Sequence, residues 1–138
     1  MADSFQMALR TAGAGMAAQS TRMRIASENL ANMHSTSSVP GGDPYRRRVV
    51  TFEVGHDGAT GAEILSAGQL STDATPFLVE RDPGHPAADS EGNVKFPNVD
   101  MTIELADARE ANRSYMANLQ IVRMVKDSIS TTIDLLKP

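Results

Sequence analysis

The sequence predicts a mainly α fold with a small β-rich insert: N- and C-terminal helices paired as a coiled coil, and a middle lobe of short strands and turns. Three observations predict it. Six of the seven prolines and eight of the ten glycines fall between residues 40 and 97, so helix breakers crowd the middle and nearly spare both ends. Both ends repeat apolar residues every seven positions on two lines. The middle instead carries alternating runs of four to nine residues bounded by turn formers.

The segments are residues 1–36, 37–98 and 99–138, read as one structural unit because 138 residues and 14.8 kDa leave room for one domain. In the first, Phe5, Ala12, Gln19, Ala26 and Met33 form one line, and Leu9, Met16, Met23 and Leu30 the other. Gly13 and Gly15 each cost about 1 kcal/mol of helix propensity, so this helix needs a partner to form.

In the middle, residues 46–54 alternate, with Arg48, Val50, Phe52 and Val54 on one side. Residues 62–65, 76–79 and 93–96 are shorter strand candidates. Turn formers separate them: residues 55–61, Asp82-Pro83-Gly84 and Glu91-Gly92-Asn93. This insert is expected as a lobe at one end of the helix pair.

In the last segment, Met101, Ala108, Tyr115, Val122, Ile129 and Leu136 form one line, and Leu105, Asn112, Leu119, Lys126 and Ile133 the other. A further apolar flank runs through Ala111, Ala117, Ile121, Met124, Val125 and Leu135. A helix apolar on more than one side expects more than one neighbour.

Composition narrows the function. Aromatics are 4% of the chain and methionines number eight, so the core is thin and aliphatic. With no cysteine there are no disulfides, thiolate metal sites or cysteine nucleophiles. No apolar run approaches the ~20 residues of a membrane span. The leader from Met1 to Gln6 lacks the basic-then-apolar pattern of a cleaved secretory signal. The net charge of -4, concentrated in the middle segment, argues against nucleic acid as a partner.

No catalytic or cofactor-binding constellation emerges. His56-Asp57 with Asp82, His85 and Asp89 is the one metal-like cluster, and its setting among glycines and prolines favours solvated turns. Serines lack a Gly-x-Ser-x-Gly elbow, and Gly13-Ala14-Gly15 reads as close helix packing rather than a phosphate loop. Asp107 and Glu110 are expected on a solvated helix face. Arg46-Arg47-Arg48 is either a contact for an acidic partner surface or charge guarding an edge strand. Asn112, on an apolar line, either fixes register or is a partly exposed polar residue.

Ser27-Glu28-Asn29-Leu30-Ala31-Asn32, followed by Thr36, resembles the N-terminal motif of the flagellar rod and hook axial proteins. Pro40-Gly41-Gly42-Asp43-Pro44-Tyr45-Arg46-Arg47-Arg48 and Asp82-Pro83-Gly84-His85-Pro86-Ala87-Ala88-Asp89 resemble segments of that family's proximal-rod members. Arg113-Ser114-Tyr115 with Ala117-Asn118 resembles its C-terminal helix motif.

The resemblance implies a non-enzymatic structural subunit of the periplasm-spanning rod, the drive shaft that carries torque from motor to hook and encloses part of the export channel. It implies nested terminal helices in a helical tube, with copies of itself and other rod proteins as partners. No cofactor, metal, nucleic acid or small-molecule substrate is expected. It also implies export through the flagellar type III apparatus without a cleaved signal, with Phe5 and Leu9 as a recognition element. The expected assembly residues are Leu9, Met16, Met23, Asn29, Leu30, Asn32, Arg47, Arg48, Arg113, Tyr115, Asn118, Leu119, Val122, Ile129 and Ile133. An intracellular coiled-coil adapter and a metal-dependent enzyme using His56 and His85 are the competing readings.

Overall fold

In a computed structural model the chain forms two long helices and four strands, described for residues 2–137; Met1 of the leader and Pro138 lie outside them. Helix α1 spans Ala2–Ala31 and helix α2 spans Met101–Leu136. Between them come β1 (Arg48–His56), β2 (Glu63–Thr72), β3 (Leu78–Arg81) and β4 (Asn93–Phe96). This is the predicted class, two terminal helices around a small β insert.

Helix α2 starts at a cap the sequence supplies. Asp100 accepts hydrogen bonds from the backbone N–H groups of Thr102 (2.8 Å) and Ile103 (3.3 Å), which the first helical turn otherwise leaves unpaired. Helix α1 stops at Ala31, where Asn32 folds back: its Nδ2 donates to the Glu28 carbonyl at 2.8 Å and its Oδ1 accepts from Ser35 Oγ at 3.1 Å. The chain then turns away from the helix axis, so the heptad line ends short of Met33.

The helices run antiparallel. Asn29 stands against Glu104, Arg22 against Asp107 and Gly15 against Asn118. The smallest side chains meet at the closest approach: Ala12, Gly15, Ala18, Ala26 and Ala111 are all buried. A Cβ at Gly15 would lie 2.8 Å from Asn118 Nδ2. Continued in the same register, α1 runs out opposite about Thr131, and residues 132–136 of α2 project beyond it.

The seam is not the one the heptads predict on α2. The buried residues are Glu104, Ala111 and Val125, while Leu105, Asn112, Lys126 and Ile133 of the expected second line are exposed. Of the first predicted line, Ala108, Tyr115, Val122 and Ile129 stay half-buried beside the seam, as does Leu119, so α2 is turned by about 50° relative to the prediction, half a residue's worth of helix. On α1 the line through Ala12, Gln19 and Ala26 is buried as expected, but its partners are Gly15, Ala18, Ile25 and Asn29. Leu9, Met16, Met23 and Leu30 flank the seam half-buried.

The insert is two antiparallel hairpins, β1–β2 and β3–β4. Contrary to the expected lobe at one end, β1–β2 lies along α1. It is tied near one end by Asn29 to Arg48 and near the other by Thr11 Oγ1, which donates to the Glu63 carbonyl at 2.9 Å. Strand β2 is longer than predicted because its second half pairs with Arg48, Val49 and Val50. A bulge breaks the predicted alternation: Gly68 and Gln69 together oppose Thr51, and Val54 ends up exposed. Strand β4 supplies the buried Val94 of the second hairpin. Gly92, at φ +83°, turns the chain into it.

Candidate assembly interface

Asn29 is the residue on which the three segments meet. It is 1% exposed, and all four of its amide hydrogen-bonding positions are used. Its Nδ2 donates to the Arg48 carbonyl (2.9 Å) and to Glu104 Oε2 (3.0 Å). Its Oδ1 accepts from the Arg48 backbone N–H (2.9 Å) and from the Tyr45 hydroxyl (2.8 Å). The amide thus pairs with Arg48 as a neighbouring strand would, closing the end of β1 against α1.

Glu104, also 1% exposed, is the carboxylate on the other side. Its Oε1 accepts from Arg47 Nε at 2.5 Å. Arg47 extends the network: Nη1 reaches Asp73 Oδ2 and Nη2 reaches Asp107 Oδ2, each at 3.3 Å. Asp107 Oδ1 in turn accepts from Arg22 Nη2 at 2.8 Å. Burial opposes the Arg47 charge, but the hydrogen bond and charge of Glu104, aided by Asp73 and Asp107, outweigh it and raise the guanidinium pKa. Asp73 is held below its ordinary 3.8, first by hydrogen bonds from Thr75 and then by Arg47. Burial raises the Tyr45 hydroxyl above its usual value.

This geometry corrects two expectations. Arg47 is turned into its own chain, where three carboxylates hold it, rather than outward to a neighbouring subunit. Asp107 is not on a solvated face; it bridges Arg22 and Arg47. Arg46 is engaged as well, donating to the Asp73 and Thr75 carbonyls with its guanidinium 4.0 Å from the Phe77 ring centroid. Arg48 remains exposed, with Glu28 at 3.4 Å.

Sequence reasoning singled out Asn29 but missed Glu104, Asp107, Arg22, Tyr45 and Asp73. One signal was available. Glu104, Asp107 and Ala111, at spacings of three and four, share a helical face with the buried seam, and acids there demand cations such as the Arg46–Arg48 run.

Of the other expected residues, Asn118 is half-buried against Gly15, and Phe5, Tyr115, Leu119, Val122 and Ile129 are half-buried. Arg113 and Ile133 are exposed. Asn112 is exposed too, its Nδ2 only 4.0 Å from Met23 Sδ. Among the described residues no three His, Cys, Asp or Glu side chains gather to hold a metal ion. His85 Nδ1 instead accepts from the Ala87 N–H at 3.0 Å and the ring stands edge-on to Phe96.

The family profile described as "Flagella basal body rod protein" matches residues 9–37, and that described as "Flagellar basal body rod FlgEFG protein C-terminal" matches residues 90–135. Flagellar basal-body rod protein FlgC of Agrobacterium fabrum is 53% identical over 135 residues, covering 98% of this chain and 97% of the relative. The chain belongs to the FlgC family of flagellar basal-body rod proteins. FlgC of Salmonella typhimurium is 40% identical, over 90% of this chain and 92% of its own, and FlgC of Aquifex aeolicus 34%, over 97% and 98%. The FlgC-family chain is a structural subunit of the flagellar basal-body rod, and its role in motility follows from that. Asn29 lies within the first matched segment and Glu104 within the second, while Arg47 lies between the two.

This FlgC-family chain leaves many large apolar side chains of α2 uncovered. On α2, Leu105 and Met116 lie on one flank and Ile103, Ile121 and Met124 on the other; Met124 is 61% exposed. Ile133, Leu135 and Leu136 crowd the projecting end, with Leu135 81% exposed. A groove of about 400 Å³ follows the first flank, between Met23 and Leu105, Ala108 and Asn112. Another, of about 390 Å³, follows the second between Met7, Ala8, Ala62 and Ile121.

Proposed function

We propose that the antiparallel helix pair is the unit of axial contact, and that the chain assembles with copies of itself and with other rod proteins into a hollow helical tube. The uncovered apolar flanks of α2 carry this reading. Large apolar side chains left uncovered along a helix mark interaction surfaces, and a helix apolar on opposite flanks serves several neighbours at once. The β insert packs on α1 and leaves those flanks open.

The same reading makes the chain a non-catalytic link in the shaft that carries torque and encloses the export path. It reaches its place through the flagellar type III apparatus without a cleaved signal, Phe5 and Leu9 serving as the recognition element. Half-buried in the folded chain, these two are fully available only before folding.

Deleting the chain from its host and restoring it in trans tests the proposal. The deletion is expected to secrete earlier rod components yet build no hook, and the restored strain to swim. A deletion strain with complete basal bodies would refute it. Phe5→Ala separates the export element from packing: retention in the cytoplasm supports recognition, and normal secretion with failed polymerisation leaves packing alone.

A further inference from the structure

The α2 face that meets α1 is not the most apolar one available. The line in the seam reads Glu104, Ala111, Asn118, Val125. The adjacent line, one residue on, reads Leu105, Asn112, Leu119, Lys126, Ile133 and offers three large aliphatic side chains against one. Burial of apolar area alone favours turning α2 by about 50° to bring Leu105 into the seam and complete the burial of Leu119, now half-buried. The chain instead buries a carboxylate.

We infer that the Asn29–Glu104–Arg47 clasp sets the rotation of α2 about its own axis, holding the less apolar face against α1 and keeping the greasier flanks outward. Three observations support it. Glu104 is fully buried yet bonded on both oxygens, to Asn29 of α1 and to Arg47 ahead of β1. Asp107, one turn on, repeats the arrangement with Arg22 and Arg47. Turning α2 would break all these contacts at once and strand Arg47, so the two rotations differ by several charge-assisted hydrogen bonds. Buried polar groups are best attested in this role, choosing one register among apolar alternatives at little gain in stability. That the outward flanks then serve assembly rests on the proposed function; the rotation itself does not.

The absence of native cysteine allows a direct test. Leu105→Cys and Val125→Cys are made singly, and thiol labelling rates are compared at concentrations where the chain is monomeric. The native rotation exposes Leu105 and buries Val125, so the first should label about tenfold faster, as differing exposure at fixed helix content requires. Each is then combined with Glu104→Met and Arg47→Met, a pair that leaves no stranded charge. The expected result is that helix content is retained by circular dichroism while the labelling ratio falls to one or inverts. An unchanged ratio would overturn the inference and assign the rotation to small-residue packing around Gly15 and Ala111. Loss of helix content in the double variant would overturn it too, by making the clasp a stability element. Equal labelling in the parent chain would refute the starting rotation. No rod is needed for this experiment, so its failure is distinct from failure of the assembly reading, which would appear in motility.

Discussion

Asn29 on α1 and Glu104 on α2 face each other across the helix pair, Nδ2 to Oε2 at 3.0 Å, with both side chains out of contact with water. Their hydrogen bond joins the two ends of the chain, and through Arg48 and Arg47 each residue also holds the start of β1.

Removing the amide should therefore be costly. Asn29→Ala leaves the buried Glu104 and the Arg48 backbone short of partners, a loss of about 2–3 kcal/mol in urea unfolding. Asn29→Asp should be worse, because it replaces the donor to Glu104 with a second carboxylate. Asn32→Ala, at the open end of α1, should cost no more than about 1 kcal/mol, the scale of a lost helix-end bond.

Breaking the ion pair from one side should differ from replacing both partners. Glu104→Ala leaves Arg47 buried without its closest carboxylate, and the expected loss is about 3–5 kcal/mol. Arg24→Ala breaks the exposed pair with Glu28 and should change stability by less than about 0.5 kcal/mol. Thermal unfolding of the two variants side by side checks the contrast.

The two helical glycines should respond in opposite directions. Nothing lies within 4 Å of a Cβ at Gly13, so Gly13→Ala should stabilise α1 by about 0.5–1 kcal/mol. At Gly15 a Cβ would press on Asn118 Nδ2, so Gly15→Val should force the helices apart and lower Tm.

Asp73 predicts part of the acid limb. Its pKa in the folded chain lies below the ordinary 3.8, so the carboxylate stabilises the fold at pH values above 3.8 and loses that contribution as pH falls through the depressed folded value. Asp73→Ala should flatten the stability-against-pH curve below about pH 4. A curve of unchanged slope would show that the bonds from Thr75 and Arg47 do not favour the charged form.

Most of the fold was legible because its signals are local. Prolines and glycines crowd the middle of the chain and so delimit the helices. The rotation of α2 was not legible, since the heptad rule ranks faces by apolarity, and Leu105 and Leu119 outrank Glu104 and Ala111 on that scale. The deciding contacts join residues 75 and 57 positions apart, Asn29 and Arg47 to Glu104, and no window along the chain holds both partners. The same distance in sequence hid the inward turn of Arg47. Asn29 was recognised through its motif, though its four hydrogen bonds belong to the tertiary structure.

The assembly reading is tested most directly where folding and assembly separate. Met124 is exposed on the second flank of α2 and holds nothing in its own chain together, so Met124→Asp should leave subunit stability within about 0.5 kcal/mol of the parent. Introduced at the native locus, with the subunit at normal levels, the variant should be missing from purified basal bodies, and its cells should not swim. Complete basal bodies containing the variant in swimming cells would contradict assembly through the uncovered faces of α2.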